Sequence, residues 1–342
     1  MLTFLHTRVP VLSLWVVAMA AARPAASQDE ASALASLVGR ADVVSLARAV
    51  RVGDGTPGQL QVVLRIEETL LGTAPAIVTL SEPEERGCGR ALLAVATGQR
   101  FVACLRRQGE NFALVAAGAR ALPLATATVV AHVRALATAA AGMPRLTVLI
   151  DALDSDDARV CTDAALALPL EPTLPAIGAD QRAAVVAALR RALPARSRGL
   201  PSLVVACTHL GESAAIEVML PSYLDGSSGP AERLLATAML QIDQGALARA
   251  LGARIDRLAS PLERARALTL LDAMDGVVAR APLQALVRAA AERGTRVRAC
   301  ACLLRNGAPE SDLAGVVEPA VLDSARQAAK PQRPRFRSIR PE

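Results

Sequence analysis

Lysine occurs once in the 342 residues, at Lys330, and histidine three times. Tryptophan and tyrosine occur once each and phenylalanine four times. Each scarcity removes a class of chemistry. With its one lysine near the C-terminus, the chain has no G-x-x-x-x-G-K-[ST] phosphate loop, which needs that side chain. Aromatics this sparse supply no platform on which nucleic-acid bases can stack. Beyond the N-terminal segment only His132 and His209 remain, in apolar helical surroundings with no second histidine four residues away. Zinc needs three or four ligands, so both are read as structural and no metal or cofactor is expected. No G-x-S-x-G nucleophile elbow is present, and Gly226-Ser227-Ser228-Gly229 is a loop of the wrong spacing.

The chain also lacks a basic face. Its formal net charge is +6. Arg8 and Arg23 account for two of these charges. The stretch from Lys330 (KPQRPRFRSIRPE), with five basic residues and one Glu, accounts for four more, which leaves a neutral body. A folded nucleic-acid surface needs a concentration of positive charge, so no nucleic-acid partner is expected. The Pro-rich, charged stretch 330–342 reads as a solvated, disordered tail.

The N-terminus points to export. Arg8 is the charge of a short n-region, and Val9 to Ala22 is uncharged. That run is short for a bilayer, which takes about 20 apolar residues. Ala25, Ala26 and Ser27 then precede Gln28 and Asp29 as an Ala-x-Ser type of cleavage site. A cleaved signal peptide over 1–27 and a secreted or periplasmic protein are therefore expected, with an uncleaved anchor as the alternative. No Cys follows the apolar run, which argues against a lipid anchor. The later apolar stretch around 122–142 contains His132 and Arg134, so no stable membrane span is expected after cleavage. Six cysteines (Cys88, Cys104, Cys161, Cys207, Cys300 and Cys302) are too few and too spread for a disulfide-dense scaffold. Cys88 and Cys104 fall in one region and can pair or stay free. Cys161 and Cys207 sit in helical patterns as buried thiols. Cys300 and Cys302, two apart on a helix, diverge and make neither a pair nor a metal site.

The hydrophobic period changes near residue 120. Before it the period is two. Leu60, Val62, Leu64 and Ile66 alternate with more polar positions. Val44, Leu46, Val50 and Val52 form another run, interrupted by Arg48, and Ile77 to Leu80 a third. Phe101, Ala103 and Leu105 line one face of a fourth, and Phe112, Leu114 and Ala116 follow a turn at 108–111. Gly53 to Gly58 is a turn between the first two strands. Five short strands in this span predict a small antiparallel barrel or sandwich over 28–120. After residue 120 the period is helical, with candidates at 126–141, 144–154, 157–168, 180–193, 201–210, 213–223, 230–241, 244–257, 261–274, 281–292, 295–305 and 310–328. Asp156-Asp157, Pro201, Ser260-Pro261 and Pro309 mark breaks between them.

The first half resembles netrin-like or TIMP-like domains, through Ala41, Asp42, Val44, Val50, Leu71, Gly72, Cys88, Gly89, Gly98, Arg100 and Phe101. That resemblance covers about a third of the chain and implies an OB-type barrel, in which a barrel disulfide again points from Cys88 to Cys104. In the animal inhibitors of that family an N-terminal Cys chelates the target protease's zinc. The mature N-terminus here, near Gln28 or Asp29, has no Cys, so the fold is carried over and the inhibitory mechanism is not. In the helical half an anchor, a small residue three later and a Leu seven later recur: Arg159-Thr162-Leu166, Leu203-Ala206-Leu210, Arg233-Ala236-Leu240, Arg264-Ala267-Leu271 and Arg298-Ala301. The pattern resembles HEAT-like repeats over 121–329, with an irregular helical bundle as the alternative. The expected fold is thus α+β and multidomain: an N-terminal antiparallel β-barrel followed by an all-α solenoid.

The acidic group Asp151, Asp154, Asp156 and Asp157 has the oxygen ligands calcium wants, but lacks an EF-hand's central Gly and final Glu. It is read as a helix N-cap with first-turn acids. Glu82, Glu84 and Glu85 are the other acidic cluster, read as an exposed loop. No catalytic residue is assigned. The function expected is a non-enzymatic, exported protein-binding or scaffold protein. The alternatives are a protease inhibitor acting through barrel loops and a hydrolase with a site gathered from distant loops.

Overall fold

The computed structural model describes residues 33–54, 59–83, 92, 95–116, 120–139 and 141–330. The expected signal peptide at 1–27, most of the turn at Gly53–Gly58, Cys88 and the tail beyond Lys330 lie outside the described residues. The chain divides into two compact units at Thr173 and Leu174.

The first unit opens with helix α1 (Leu34–Arg40), which the period-two reading of this region did not anticipate. Five strands follow: β1 (Val43–Asp54), β2 (Gln59–Leu71), β3 (Ile77–Pro83), β4 (Arg100–Gln108) and β5 (Asn111–Leu114). They form one antiparallel sheet in the order β3-β2-β1-β4-β5. The sheet curls until its two edges, β3 and β5, approach each other without a ladder between them, giving a half-barrel. Its concave face holds a core of Ala47, Ala49, Val62, Leu64, Val78, Leu80, Phe101, Ala103 and Leu105, with Leu60 and Ile66 packed against it. The alternation seen in β2 and β4 is therefore the barrel-facing set.

β1 is different. Val43 to Ala47 are all buried, and register shifts interrupt its pairing with β2 at Val44/Ser45, Leu46/Ala47 and Ala49/Arg51. Val43, Ala47 and Ala49 face the barrel core and Val44 and Leu46 the opposite side, and the shift at Ala49/Arg51 then returns Val52 to the core face. In β4 all five residues from Phe101 to Leu105 are buried. A strand buried on both faces loses its polar alternation, and here helices supply the second cover.

Those helices are α1, α2 (Ala127–Thr138), α3 (Met143–Ala152) and α4 (Ala158–Ala167). α1 packs on β4 and α2 on β2, and α1, α3 and α4 each pack against α2. Pro123–Ala125 leads into α2 by pairing with the part of β4 that β5 leaves open. There the Val102 amide donates to the Pro123 carbonyl at 2.9 Å and the Ala125 amide to the Arg100 carbonyl at 3.0 Å.

One carboxylate ties this layer together. Asp163 on α4 is wholly buried, and both Arg120 and Arg159 donate to it. The Leu34 amide at the start of α1 donates to it as well, at 3.3 Å, across 129 residues of chain. Arg159 also donates to the Arg120 carbonyl at 3.0 Å. Burial pushes the Asp163 carboxyl above its ordinary value, against the pull of Arg159 and Arg120. Nearby, Arg145 on α3 donates to Glu171 at 2.9 Å and to the Ala35 carbonyl at 2.6 Å, pinning α1 a second time.

The second unit is helical: α5 (Ala179–Ala195), α6 (Leu200–Leu210), α7 (Ala214–Leu224), α8 (Glu232–Ile242), α9 (Gln244–Gly252), α10 (Pro261–Ala273), α11 (Gly276–Ala289), α12 (Arg293–Arg305), α13 (Ser311–Ala314) and α14 (Pro319–Ala329). With α2 to α4, thirteen described helices follow the sheet. The expected helix at 281–292 begins earlier, at Gly276, because Asp275 caps it by accepting from the Val277 amide at 2.9 Å. The expected 310–328 helix is two, since Pro319 lacks the amide needed to continue one and starts another instead.

Replacing Asp163 with Asn strips two part-buried guanidiniums of their charge partner. Denaturant unfolding should show a loss of about 3 kcal/mol. The triple change Arg120→Met, Arg159→Met and Asp163→Leu should recover most of it. A negligible effect of Asp163→Asn would show that the ion network does not hold this unit.

Candidate functional site

The residues picked out by the sequence are spread through the fold and mostly engaged as joints. Asp157 is the N-cap of α4, its Oδ1 accepting from the Arg159 amide at 2.9 Å and the Val160 amide at 3.2 Å. Its Oδ2 accepts from the Thr126 hydroxyl at 3.2 Å, linking the starts of α2 and α4. Asp151 lies at the end of α3, and Asp154 and Asp156 in the connection to α4. Among the described residues no group of three or more His, Cys, Asp or Glu is disposed to hold a metal. Glu84 and Glu85 lie outside the described residues. Glu82 is on β3 and accepts from the Leu92 amide at 3.1 Å.

Cys104 is wholly buried on β4, and burial pushes its thiol up to about 12. Its expected partner, Cys88, lies outside the described residues. Cys207 on α6 is likewise buried and pushed up to about 12, by burial first and the nearby Glu212 second. Cys161 is half-buried and its thiol donates to the Leu153 carbonyl at 3.3 Å. Cys300 and Cys302 are both buried on α12. Burial and a hydrogen bond to Asp272 (3.1 Å) push Cys302 up to about 12. Thiols held this far above neutrality are not nucleophiles.

His209 is exposed in the last turn of α6. His132, on α2, is 8% exposed, and its buried Nε2 has no hydrogen-bond partner among the described residues. Burial alone pushes its imidazole down to about 4.

Two clefts stand out among the described residues. One, of about 250 Å³, lies in the seam of the half-barrel, lined by Leu80 to Glu82 of β3, Leu92, and Ala113 to Ala116 at β5. The other, of about 410 Å³, lies in the helical unit between the end of α7 (Leu224, Asp225), the Ala253–Leu258 turn and Glu263 of α10. Its charged residues include Arg254, which pairs with Glu217 at 3.1 Å, and Glu263, which accepts from the Ser260 amide at 2.9 Å.

Of the positions that carry the netrin-like resemblance, Asp42, Gly72, Gly98 and Arg100 are strand-end joints, and Cys88 and Gly89 lie outside the described residues. Asp42 accepts from the Arg107 amide at 2.8 Å through its side chain, and its own amide donates to the Leu105 carbonyl at 2.9 Å. Gly72 has φ +73, and a Cβ there would collide with the Asp42 carbonyl. Gly98, at φ +88, donates to the Ala49 carbonyl at 2.7 Å. Arg48 and Arg100 stand opposite each other on β1 and β4, a like-charge pair that is unfavourable by itself. Glu67 on β2 resolves it by accepting from both at 2.7 Å. Sequence inspection alone missed Glu67 and Asp163. The only signal for Asp163 was an acid four residues after Arg159 on a helix.

Comparison of the chain with protein-family models, with curated proteins and with solved structures found no match.

Two predictions follow from these joints. Gly98→Ala meets open space and should cost only the positive-φ strain, about 1 kcal/mol. Gly72→Ala adds the collision with Asp42 and should cost more, on the order of 2–3 kcal/mol; equal midpoints in urea would contradict this order. The Arg48 hydrogen bond, followed by that of Arg100, holds the Glu67 carboxyl below its ordinary 4.5. The stabilisation it confers is present above that value and is lost as pH falls through the lower folded one. Unfolding measured between pH 7 and 3 should therefore show a smaller acid-side loss in Glu67→Gln than in the wild type.

Proposed function

We propose that the protein is an exported, non-enzymatic binding or scaffold protein. In this reading an OB-type, netrin-like half-barrel is followed by HEAT-like stacked helices. The observation that carries it is a recurring joint in the second unit. Arg264 is the fourth residue of α10 and donates to Glu292, the N-cap of α12. Arg296, 32 residues later and again fourth in its helix, donates at 3.3 Å to Glu318, the N-cap of α14. The joint uses Arg296 and leaves Arg298 exposed.

Helices two apart in sequence also contact each other repeatedly: α5 with α7, α6 with α8, α9 with α11, α10 with α12 and α12 with α14. Repeated stacking of this kind builds an extended surface suited to holding partners. The barrel reading draws support from strand order. With β3 beside β5, the order around the sheet is 1-2-3-5-4, as in an OB-type barrel. The non-enzymatic reading draws support from Asp157, Glu67, Asp163 and the buried thiols, each engaged in holding structure. No described helix is long and apolar enough to cross a membrane.

The test is affinity capture with the full mature protein against the exported fraction of the producing cell. A saturable partner, competed by soluble bait, is expected. N-terminal sequencing of the exported form should begin near Gln28 or Asp29. Retention in the cytoplasm, or turnover of a substrate by the purified protein, would overturn the reading.

A further inference from the structure

We propose that His132 is a proton-operated latch on the helical cover of the half-barrel: protonation of its imidazole loosens α2 from β2 and from α1, α3 and α4, opening the outer apolar face of the sheet.

The placement supports this directly. His132 shares the inward face of α2 with Val129, Val133 and Leu136, all buried. α2 as a whole packs against β2, α1, α3 and α4, and His132 lies on its buried side. Arg134 of the same helix points elsewhere and pairs with Glu68 of β2 at 2.8 Å. Nothing among the described residues accepts from or donates to the buried Nε2 of His132.

The charged groups on the surrounding elements are committed or outside. On β2, Glu67 is held by Arg48 and Arg100, Glu68 by Arg134, and Arg65 is exposed. On α1, Arg40 donates to the Ser36 carbonyl at 3.1 Å. On α3, Arg145 pairs with Glu171, and Asp151 is exposed. On α4, Asp163 is held by Arg120 and Arg159, and Asp157 is spent on its cap. No carboxylate is therefore left to receive an imidazolium. A proton on His132 places an uncompensated charge among Val129, Val133 and Leu136, and a buried charge is relieved by reaching water. Undocking α2 provides that route. α1 stays held by Asp163, Arg145 and its packing on α4, so the opening removes the α2 side of the cover over the sheet.

The direction with pH follows from the lowered value of the buried imidazole. The docked form binds the proton less well than the undocked form, so docking is complete above the ordinary 6.5 and is lost progressively as pH falls toward about 4. One proton is taken up, so the opening constant rises by about tenfold per pH unit in that window.

Hydrogen exchange on the full mature protein between pH 7.5 and 5, corrected for intrinsic exchange, reads this opening at the amides of 127–138. The expected result is about a tenfold rise in opening per pH unit below 6.5 in α2, with α5 to α14 unchanged. His132→Leu, which fills the site without titrating, should flatten the rise. A pH-independent opening of α2 in the wild type, or the same rise in His132→Leu, overturns the proposal. Should the variant not fold, the imidazole resonances of the wild type decide. A His132 midpoint well below that of exposed His209 supports the latch, and an equal midpoint overturns it.

Discussion

A single buried carboxylate organises the N-terminal unit. Asp163 has no solvent exposure, and its two oxygens collect Arg120 from the connection after β5, Arg159 from its own helix and the first amide of α1. The three elements it joins have little else in common in the chain. α1 is seven residues long, too short to persist as a helix without tertiary contacts. Its Leu34, Leu37 and Val38 supply apolar burial against the sheet, while Asp163 and Arg145 fix its position through backbone groups. The sheet depends on α1 in turn, since β4 carries apolar side chains on both faces and only one face belongs to the barrel core.

The helical unit uses the same chemistry in a distributed form. Arginines there reach across helix junctions to backbone carbonyls and to N-cap carboxylates. Arg182 donates to the Ile177, Pro175 and Leu210 carbonyls at 3.2, 2.8 and 2.8 Å. Arg266 pairs with Glu232 at 2.6 Å, and its guanidinium lies 6.0 Å from the Tyr223 ring centroid. A planar group with five donors suits such junctions better than a lysine does, because it satisfies several carbonyls at helix ends at once. The near-absence of lysine from the chain is compatible with this use of arginine, whatever its cause.

The same economy bears on function. Groups that elsewhere perform chemistry are absorbed here into structure: Asp157 as a cap, Glu67 as a bridge between two arginines, the buried cysteines as packing. His132 differs from these, a buried imidazole on α2 whose Nε2 has no hydrogen-bond partner among the described residues. A protein proposed to bind through extended surfaces gains from such a group a means of changing which surface it presents.

Elements that depend on near neighbours were legible in the sequence. The helices from 127 onward declared themselves through apolar residues spaced three and four apart, with Asp, Ser and Pro at their starts, because helical hydrogen bonds and caps are local. β2 was legible because one face is core and the other is not. β1 was harder to read, because both of its faces are buried from Val43 to Ala47 and a bulge after Ala49 shifts the alternation. α1 was not legible, since seven residues carry too little periodicity and its stabilising partner lies 129 residues away. The neutral charge balance, the change of period near residue 120 and the positions of most helices belong to the sequence. The pairing of Arg48 with Arg100 through Glu67, the gathering around Asp163 and the isolation of His132 belong to the tertiary structure. An ion network or a desolvated imidazole is defined by what surrounds it in space, and sequence spacing carries no record of that.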